Sequence, residues 1–334
     1  MTTRNSQIIN QVFNECCMET MSRIEDKSVQ LIIADPPYFE VKGDFDFIWD
    51  SFDDYLKDVE MWAKEFKRIL ADNGSLYVYG HAKKIAYKQI IFDRYFNLEN
   101  NLIWHKTDCQ TRKGIEEFRS YAPVTERILF YSNEIEATGL QIINNDLELY
   151  SPIRDYFKKE RSKTSYSYKE INEKCFNTAS NGGGMASNIL TSYKDGWSFP
   201  TQEKYEALQK IGICQKPYEE LRKEYEELRK EYEYLRRPFD NKEFTDVLEF
   251  SQESHITRKY KHDTKKPNGL TKALIEVSSR KNDLVYIPFG GSGTEISMCE
   301  TLERRYIGSE LDENHFQTIQ DRIKEHKGEI GLFA

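Results

Sequence analysis

Hydrophobic and polar positions change their period along this chain and divide it into three stretches. Over the first 131 residues, short apolar runs (IINQVF, SVQLIIA, SLYVYGH, NLIWHK and ERILFYS) alternate with amphipathic or polar stretches, as expected of strands interleaved with helices. Tyr55, Leu56, Val59, Trp62, Ala63, Phe66, Ile69 and Leu70 recur at helical spacing ahead of Asn73-Gly74. They predict a helix over 52–70 whose apolar face packs on a sheet. Residues 256–334 return to the alternation, with LVYIP at 284–288, the loop FGGSGT, a helix through 303, the strand RYIGSEL and a terminal helix from 312. The two ends together predict an α/β fold with a parallel or mostly parallel sheet covered by helices.

The stretch between them, 132–255, has no such alternation. IRDYFKKER, YKEINEKC behind a Ser167–Glu170 capping box, MASNILTSY, and TQEKYEALQKI after Pro200 read as short helices punctuated by the glycines of 181–184. A helix-turn-helix-like module over 152–213, with one helix entering a major groove, fits this pattern as well as a helical insertion that merely packs. Residues 218–237 hold a heptad repeat, with Tyr218, Tyr225, Tyr232 and Leu221, Leu228, Leu235 in register between Pro217 and Pro238. At 1.5 Å per residue this predicts a helix of roughly 30 Å, steadied by Glu219–Lys223 and Glu226–Lys230 pairs. With so few heptads, docking on its own domain is expected ahead of a coiled coil.

Length and charge narrow the class. A chain of 334 residues exceeds the usual size of one domain, so a main domain and a smaller module are expected. No run approaches the roughly 20 apolar residues that cross a bilayer, and the N-terminal MTTRNSQIIN lacks a signal peptide's apolar core. A cytoplasmic protein without a membrane partner is expected. The six cysteines (Cys16, Cys17, Cys109, Cys175, Cys214 and Cys299) form no C-x-x-C pair, and no histidines cluster at zinc spacing, so reduced thiols and no metal are expected. A net charge of −8 runs against polyanion binding, which draws its affinity from Lys and Arg. The charge is uneven, however. Residues 256–266 carry five Lys/Arg against one Asp, and residues 152–174 carry seven against four acids. Arg258, Lys259 and Lys261 in the first patch, and Arg154, Lys158, Lys159 and Arg161 in the second, are candidate phosphate contacts. Taken alone, such runs are more often solvated faces.

Two motifs carry chemistry. Asp35-Pro36-Pro37-Tyr38 follows the apolar run SVQLIIA, at the carboxyl end of a predicted strand, where open α/β sheets bind ligands. An exocyclic amine is a poor nucleophile while its lone pair is delocalised into the ring, so a site that activates it needs acceptors for its N–H bonds. Asp35 and the Pro36 carbonyl are two such acceptors, Pro37 stiffens the turn, and Tyr38 offers a face to an extruded base. The second motif, Pro288-Phe289-Gly290-Gly291-Ser292-Gly293-Thr294, also follows a strand and opens a helix. Its glycines permit close backbone approach to a nucleotide-like ligand, and the absence of a following Lys argues against a phosphate loop. Glu310 ends the next strand, where an acid accepts from ribose hydroxyls.

In this order the motifs resemble those of the beta group of amino-methylating DNA methyltransferases, recognised by DPPY preceding PFxGSGT. The resemblance spans nearly the whole chain and implies a Rossmann-like class I methyltransferase sheet, circularly permuted. The catalytic half would occupy 1–131, a helical target-recognition insertion 132–255 and the cofactor-binding half 256–334. Strands ending at Ala34 and Pro288 would then be neighbours, and the two termini would lie close together. VFNECCMETM resembles the family's strand ending in an acid at the cofactor adenine, with Glu15 for the usual Asp. HDTKKP resembles HPTQKP, with Thr264 and Lys266 at the methionine end of the cofactor. Ile287 stands where Asp is frequent. NLIWHKTD and VTERILFYS resemble later catalytic-domain motifs.

The resemblance implies S-adenosyl-L-methionine as cofactor, contacted by Glu15, Cys16, Asp35, Thr264, Lys266, Pro288, Phe289, Gly291, Ser292, Gly293, Thr294 and Glu310. Asp35, Pro36, Pro37 and Tyr38 would be the catalytic set. It further implies double-stranded DNA as substrate and a homodimer as one expected form. Asp35, where the cytosine-N4 enzymes more usually have Ser, points to N6 of adenine. Cytosine N4 methylation on the same scaffold and a non-catalytic DNA-binding regulator are the rival expectations.

Overall fold

The structure is a computed structural model that describes residues 4–41, 46, 48–108, 121, 123–133, 149–178, 184–190, 197–252 and 265–333. It divides into two compact units, one made of residues 1–135 and 237–334, the other of residues 136–236.

In chain order the elements are β1 (Gln11–Phe13), α1 (Cys17–Arg23), β2 (Val29–Ala34), α2 (Phe52–Ile69), β3 (Leu70–Gly80), α3 (Ile85–Phe92), β4 (Asn97–His105) and β5 (Thr125–Ser132). The second unit supplies α4 (Ser151–Ser162), α5 (Tyr168–Ile171) with a π turn at Asn172–Phe176, α6 (Gly184–Leu190), α7 (Gln202–Lys210) and α8 (Tyr218–Leu235). The chain then adds β6 (Val247–Glu249), α9 (Asn268–Ser278), β7 (Leu284–Ile287), α10 (Thr294–Thr301), β8 (Arg305–Ser309) and α11 (Glu313–Phe333).

The eight strands form one sheet in the order β1-β8-β7-β2-β3-β5-β4-β6. All neighbours are parallel except that β5 runs antiparallel to both β3 and β4. Central strands read as unbroken apolar runs because helices cover both faces: all four residues of β7 are buried, as are five of the six in β2. The permuted order is visible in the pairing. β1 lies beside β8 (Gln11↔Ile307), bringing the N-terminal strand against the last one, and β2 lies beside β7 (Leu31↔Val285).

Helix α2 shows how sequence becomes packing. Ser51 accepts from the Asp54 N–H at 3.1 Å and caps the start, while Lys67 and Arg68 occupy the last turn, where the helix dipole favours cations. Its buried face is Tyr55, Val59, Trp62, Ala63, Phe66 and Ile69, each large apolar side chain stabilising the fold by about 1.5–3 kcal/mol. The helix stops one residue earlier than expected, because Leu70 turns extended and pairs with Val29 of β2. Pairing resumes at Leu31↔Ser75, so Asn73-Gly74 lies in a bulge, which Asn133 closes by donating to the carbonyls of Leu70 and Ala71.

Four sheet-unit elements are not among those anticipated from the hydrophobic pattern: α1, α3, α9 and β6. The sheet also extends past the expected insertion boundary at 255. β6 pairs with β4 through Ile103↔Val247, so this part of 132–255 belongs with the sheet. A three-residue edge strand with one buried side chain, Leu248, is too short to show a period.

The second unit has its own core, including Ile153, Phe157, Ile171, Leu190, Tyr205, Leu208 and Leu221. The expected capping box is present, with Ser167 accepting from Glu170 N–H and the Glu170 carboxylate accepting from Ser167 N–H. On α8, Leu221 is buried, Leu228 is half-buried and Leu235 is 57% exposed. Tyr225 stacks on Phe199 with centroids 4.2 Å apart. The helix therefore docks on its own unit through its first turns. Its ion pairs among the described residues are Lys216 with Glu220 and Glu224, Arg229 with Glu226, and Arg236 with Glu233, in place of the pairs expected from spacing.

Candidate active site

Three neighbouring strands end at one edge of the sheet, and each leads into a segment singled out by its residues. β2 leads to Asp35–Tyr38, β7 to Pro288–Thr294 and β8 to Glu310. Because β2, β7 and β8 are adjacent and parallel, the two motifs meet despite their separation in sequence, at the edge where such sheets bind ligands.

Asp35 anchors the site. Its Oδ1 accepts from the Tyr38 hydroxyl at 2.6 Å and its Oδ2 lies 2.7 Å from the Lys266 ammonium. The turn itself is clamped: Tyr55 donates to the Pro37 carbonyl at 2.9 Å and Tyr38 N–H donates to Asp46 Oδ1 at 2.6 Å. Lys266 also lies 3.3 Å from Glu126 Oε2, and Glu126 Oε1 lies 2.6 Å from Lys106. Two carboxylates and two ammonium groups therefore interlock. Burial alone would lower Lys266, but the facing Asp35 and Glu126 hold its ammonium above the ordinary lysine range. Burial would raise Glu126, and Lys266 with Lys106 outweighs it, keeping the carboxyl below its usual value. Burial pushes the Tyr38 phenol up, with Asp35 and Glu126 adding to it, so the hydroxyl is a donor. Lys88 sits 4.8 Å from the Tyr38 ring centroid and donates to the Tyr79 carbonyl; burial lowers it to about 7.

The glycine loop is braced from two sides. Gly291 and Gly293 have φ of 51° and 75°, the left-handed region that favours glycine. Gly291 N–H donates to Glu310 Oε2 at 2.6 Å, and the Ser292 carbonyl accepts from the buried Arg322 guanidinium at 2.6 Å. Phe289 packs edge-on against Trp62, with centroids 5.0 Å apart. Burial raises the Glu310 carboxyl, against the lowering effect of the Asp312 and Gly291 amides.

The expected residues divide as follows. Asp35, Pro36, Pro37, Tyr38 and Lys266 come together, and Pro288–Thr294 and Glu310 lie on the neighbouring strands. Glu15 follows β1, and its Oε1 is engaged by Arg23 and Thr20; Cys16 precedes α1. Ile287 is fully buried in the apolar core. Arg154 is only 8% exposed on α4, so little of its side chain is open to a phosphate. Lys158 and Lys159 are exposed, and Arg161 lies over the Tyr168 ring while donating to the Thr164 carbonyl. Arg258, Lys259, Lys261 and Thr264 lie outside the described residues. The residues that sequence missed are Glu126, Lys106, Lys88, Asp46, Tyr55 as a hydrogen-bond donor, and Arg322. The one available signal was Glu126, which with Arg127 puts charge at the head of the apolar run Ile128–Tyr131.

A family model described as DNA methylase, of the N6/N4 type, matches residues 29–321. The chain belongs to this family. Its relatives include the type II methyltransferase M.HinfI of Haemophilus influenzae, 24% identical over 96% of this chain and 70% of that one. Another is M1.MboII of Moraxella bovis, 24% identical over 91% and 92%. Among solved structures, PvuII DNA methyltransferase, named as cytosine-N4-specific, shares the fold at a TM-score of 0.51 and 13% identity, covering 93% of this chain and 85% of that one. A DNA modification methylase of Thermus thermophilus matches at a TM-score of 0.50 and 17% identity over 95% of both chains, and has also been solved with S-adenosyl-L-methionine. The Rossmann-like class I fold of this methylase is thereby shared with solved DNA methyltransferases.

The edge of the methylase's sheet suits an adenosyl cofactor on its own terms. A carboxylate at the end of β8 is an acceptor of the kind a ribose diol needs. Beside it, the turn at Gly291 and Gly293 keeps side chains away from an approaching ligand. Among the described residues, no helix is long and apolar enough to cross a membrane.

Proposed function

We propose that this methylase transfers the methyl group of S-adenosyl-L-methionine to the exocyclic N6 of adenine in double-stranded DNA. The observation that carries the reading is the acceptor site at Asp35, one strand away from the glycine loop and two from Glu310. When bound, the cofactor supplies an electrophilic methyl on a sulfonium centre. Glu310 and the Pro288–Thr294 loop would hold its nucleoside end, and Lys266 would stand at the catalytic side.

The chain's own residues then act on the amine. The target adenine leaves the helix stack, because its amino group is inaccessible within the duplex. Asp35 accepts one N–H bond and the Pro36 carbonyl the other, drawing nitrogen's lone pair out of conjugation. Asp35 has lone pairs to spare, since its two oxygens offer about four sites and Tyr38 and Lys266 use one each. The same carboxylate stands ready for the proton that the nitrogen sheds as it gains carbon. Tyr38 supplies an aromatic face to the base. Catalysis is positioning and electrostatics, with no covalent enzyme intermediate.

Adenine is favoured by Asp35 at the head of the motif. Cytosine N4 presents the same amine to the same acceptors, and one solved relative carries that specificity in its name. Mass spectrometry of nucleosides from treated DNA separates the two: N6-methyladenine supports the proposal, and N4-methylcytosine alone overturns it. The type II relatives point to a role in DNA modification that accompanies restriction.

A further inference from the structure

We infer that Glu126 is a positioning residue for methyl transfer, acting on Asp35 through Lys266; this rests on the reading of Asp35 as the acceptor of the target amine. Every parallel strand ends at the catalytic edge, but β5 runs the other way, so it delivers its first residues there. Glu126, the second residue of β5, pairs with Trp104 near the end of β4, and Arg127 pairs with Gly80 at the end of β3.

An ammonium has three N–H donors, and Lys266 has three acceptors in reach: Asp35 Oδ2 at 2.7 Å, Glu126 Oε2 at 3.3 Å and the Tyr38 hydroxyl at 3.3 Å. Its side chain is 3% exposed, so water does not supply substitutes. Each donor is spoken for, which fixes the ammonium in one orientation. Lys106 in turn fixes Glu126 from its other oxygen at 2.6 Å.

Charge points the same way. A buried lysine paired with Asp35 alone would neutralise that carboxylate and weaken it as an acceptor for an amine hydrogen. Glu126 draws on the same cation, so Asp35, whose side chain is 21% exposed, does not have Lys266 to itself and is less fully neutralised than in an isolated pair. At low dielectric, removing the Glu126 charge 3.3 Å from the Lys266 ammonium is a large perturbation to the pair that Lys266 makes with Asp35. Glu126 itself touches neither cofactor nor base in this scheme.

Glu126→Gln tests the charge, because the amide keeps the size and one acceptor oxygen. The assay compares kcat and KM for DNA, the dissociation constant for S-adenosylhomocysteine by calorimetry, and Tm, in wild type, Glu126→Gln, Glu126→Asp and Asp35→Ala. The expected result is a kcat lowered at least about tenfold in Glu126→Gln, with KM, S-adenosylhomocysteine affinity and Tm near wild type, and partial recovery in Glu126→Asp. A kcat within about twofold of wild type, or a loss that merely tracks falling Tm and cofactor affinity, overturns the inference. Wild type inactive on DNA overturns the functional reading beneath it, an outcome separate from failure of the Glu126 variant in an active enzyme.

Discussion

Glu295 follows the glycine loop into the interior, where its Oε1 finds no hydrogen-bond partner among the described residues and burial pushes its carboxyl up to about 7. A raised carboxyl stabilises the fold while protonated. That stability is complete below the unfolded value near 4.5 and is lost as pH rises through 7. Melting curves between pH 5 and 8 are expected to show wild type losing up to about 3 kcal/mol more than Glu295→Gln across this window; parallel losses would contradict the assignment. At Asp35, replacement by Asn keeps the shape and removes the acceptor charge. Activity is expected to fall by about 10²–10³, the scale of losing one preorganised electrostatic partner, while S-adenosylhomocysteine affinity measured by calorimetry stays within a few-fold. Asp35 and Tyr38 were legible in sequence because the motif is contiguous and follows an apolar strand. Glu126 and Lys106 were not, because their roles come from a lysine brought in by a distant segment.

The glycine loop works as a unit with the two elements around it. Arg322 on α11 donates to the Ser292 carbonyl, and a Cβ added at Gly293, where φ is 75°, would stand 3.0 Å from Ile319 of the same helix. Gly293→Ala therefore combines left-handed backbone, which costs about 1–2 kcal/mol for an L-residue, with a crowded helix. Calorimetry is expected to show S-adenosylhomocysteine affinity reduced about tenfold or more in this variant, and unchanged affinity would contradict the loop's assigned role. The loop was legible because its glycines sit between an apolar run and a helix. Its brace was not, since Arg322 lies in an amphipathic helix whose pattern gives no hint of an inward-facing guanidinium. The same limit applies to β6 and α3, which are placed by pairing and packing that a local period does not encode.

Across the whole molecule, the order of motifs told more than any single residue. A catalytic turn before the insertion and a glycine loop after it imply that β2 and β7 are neighbours, and the sheet pairs them. Composition was a poorer guide: the net charge of −8 runs against DNA, and affinity would instead come from local patches. Exposed Lys158 and Lys159 on α4 are the described candidates. If each meets a phosphate, replacing either by Ala is expected to reduce the slope of log affinity against log salt by about 1 without changing sequence preference. Fluorescence anisotropy with labelled duplexes reads this, and an unaltered slope would remove α4 from the interface. Everything proposed for the molecule turns on the chemistry at Asp35. The most direct measurement is transfer of labelled methyl from S-adenosyl-L-methionine to unmethylated DNA by wild type and Asp35→Ala, followed by mass spectrometry of the nucleosides. N6-methyladenine formed by wild type and lost in the variant is the predicted result; label absent with wild type, or undiminished in Asp35→Ala, would contradict it.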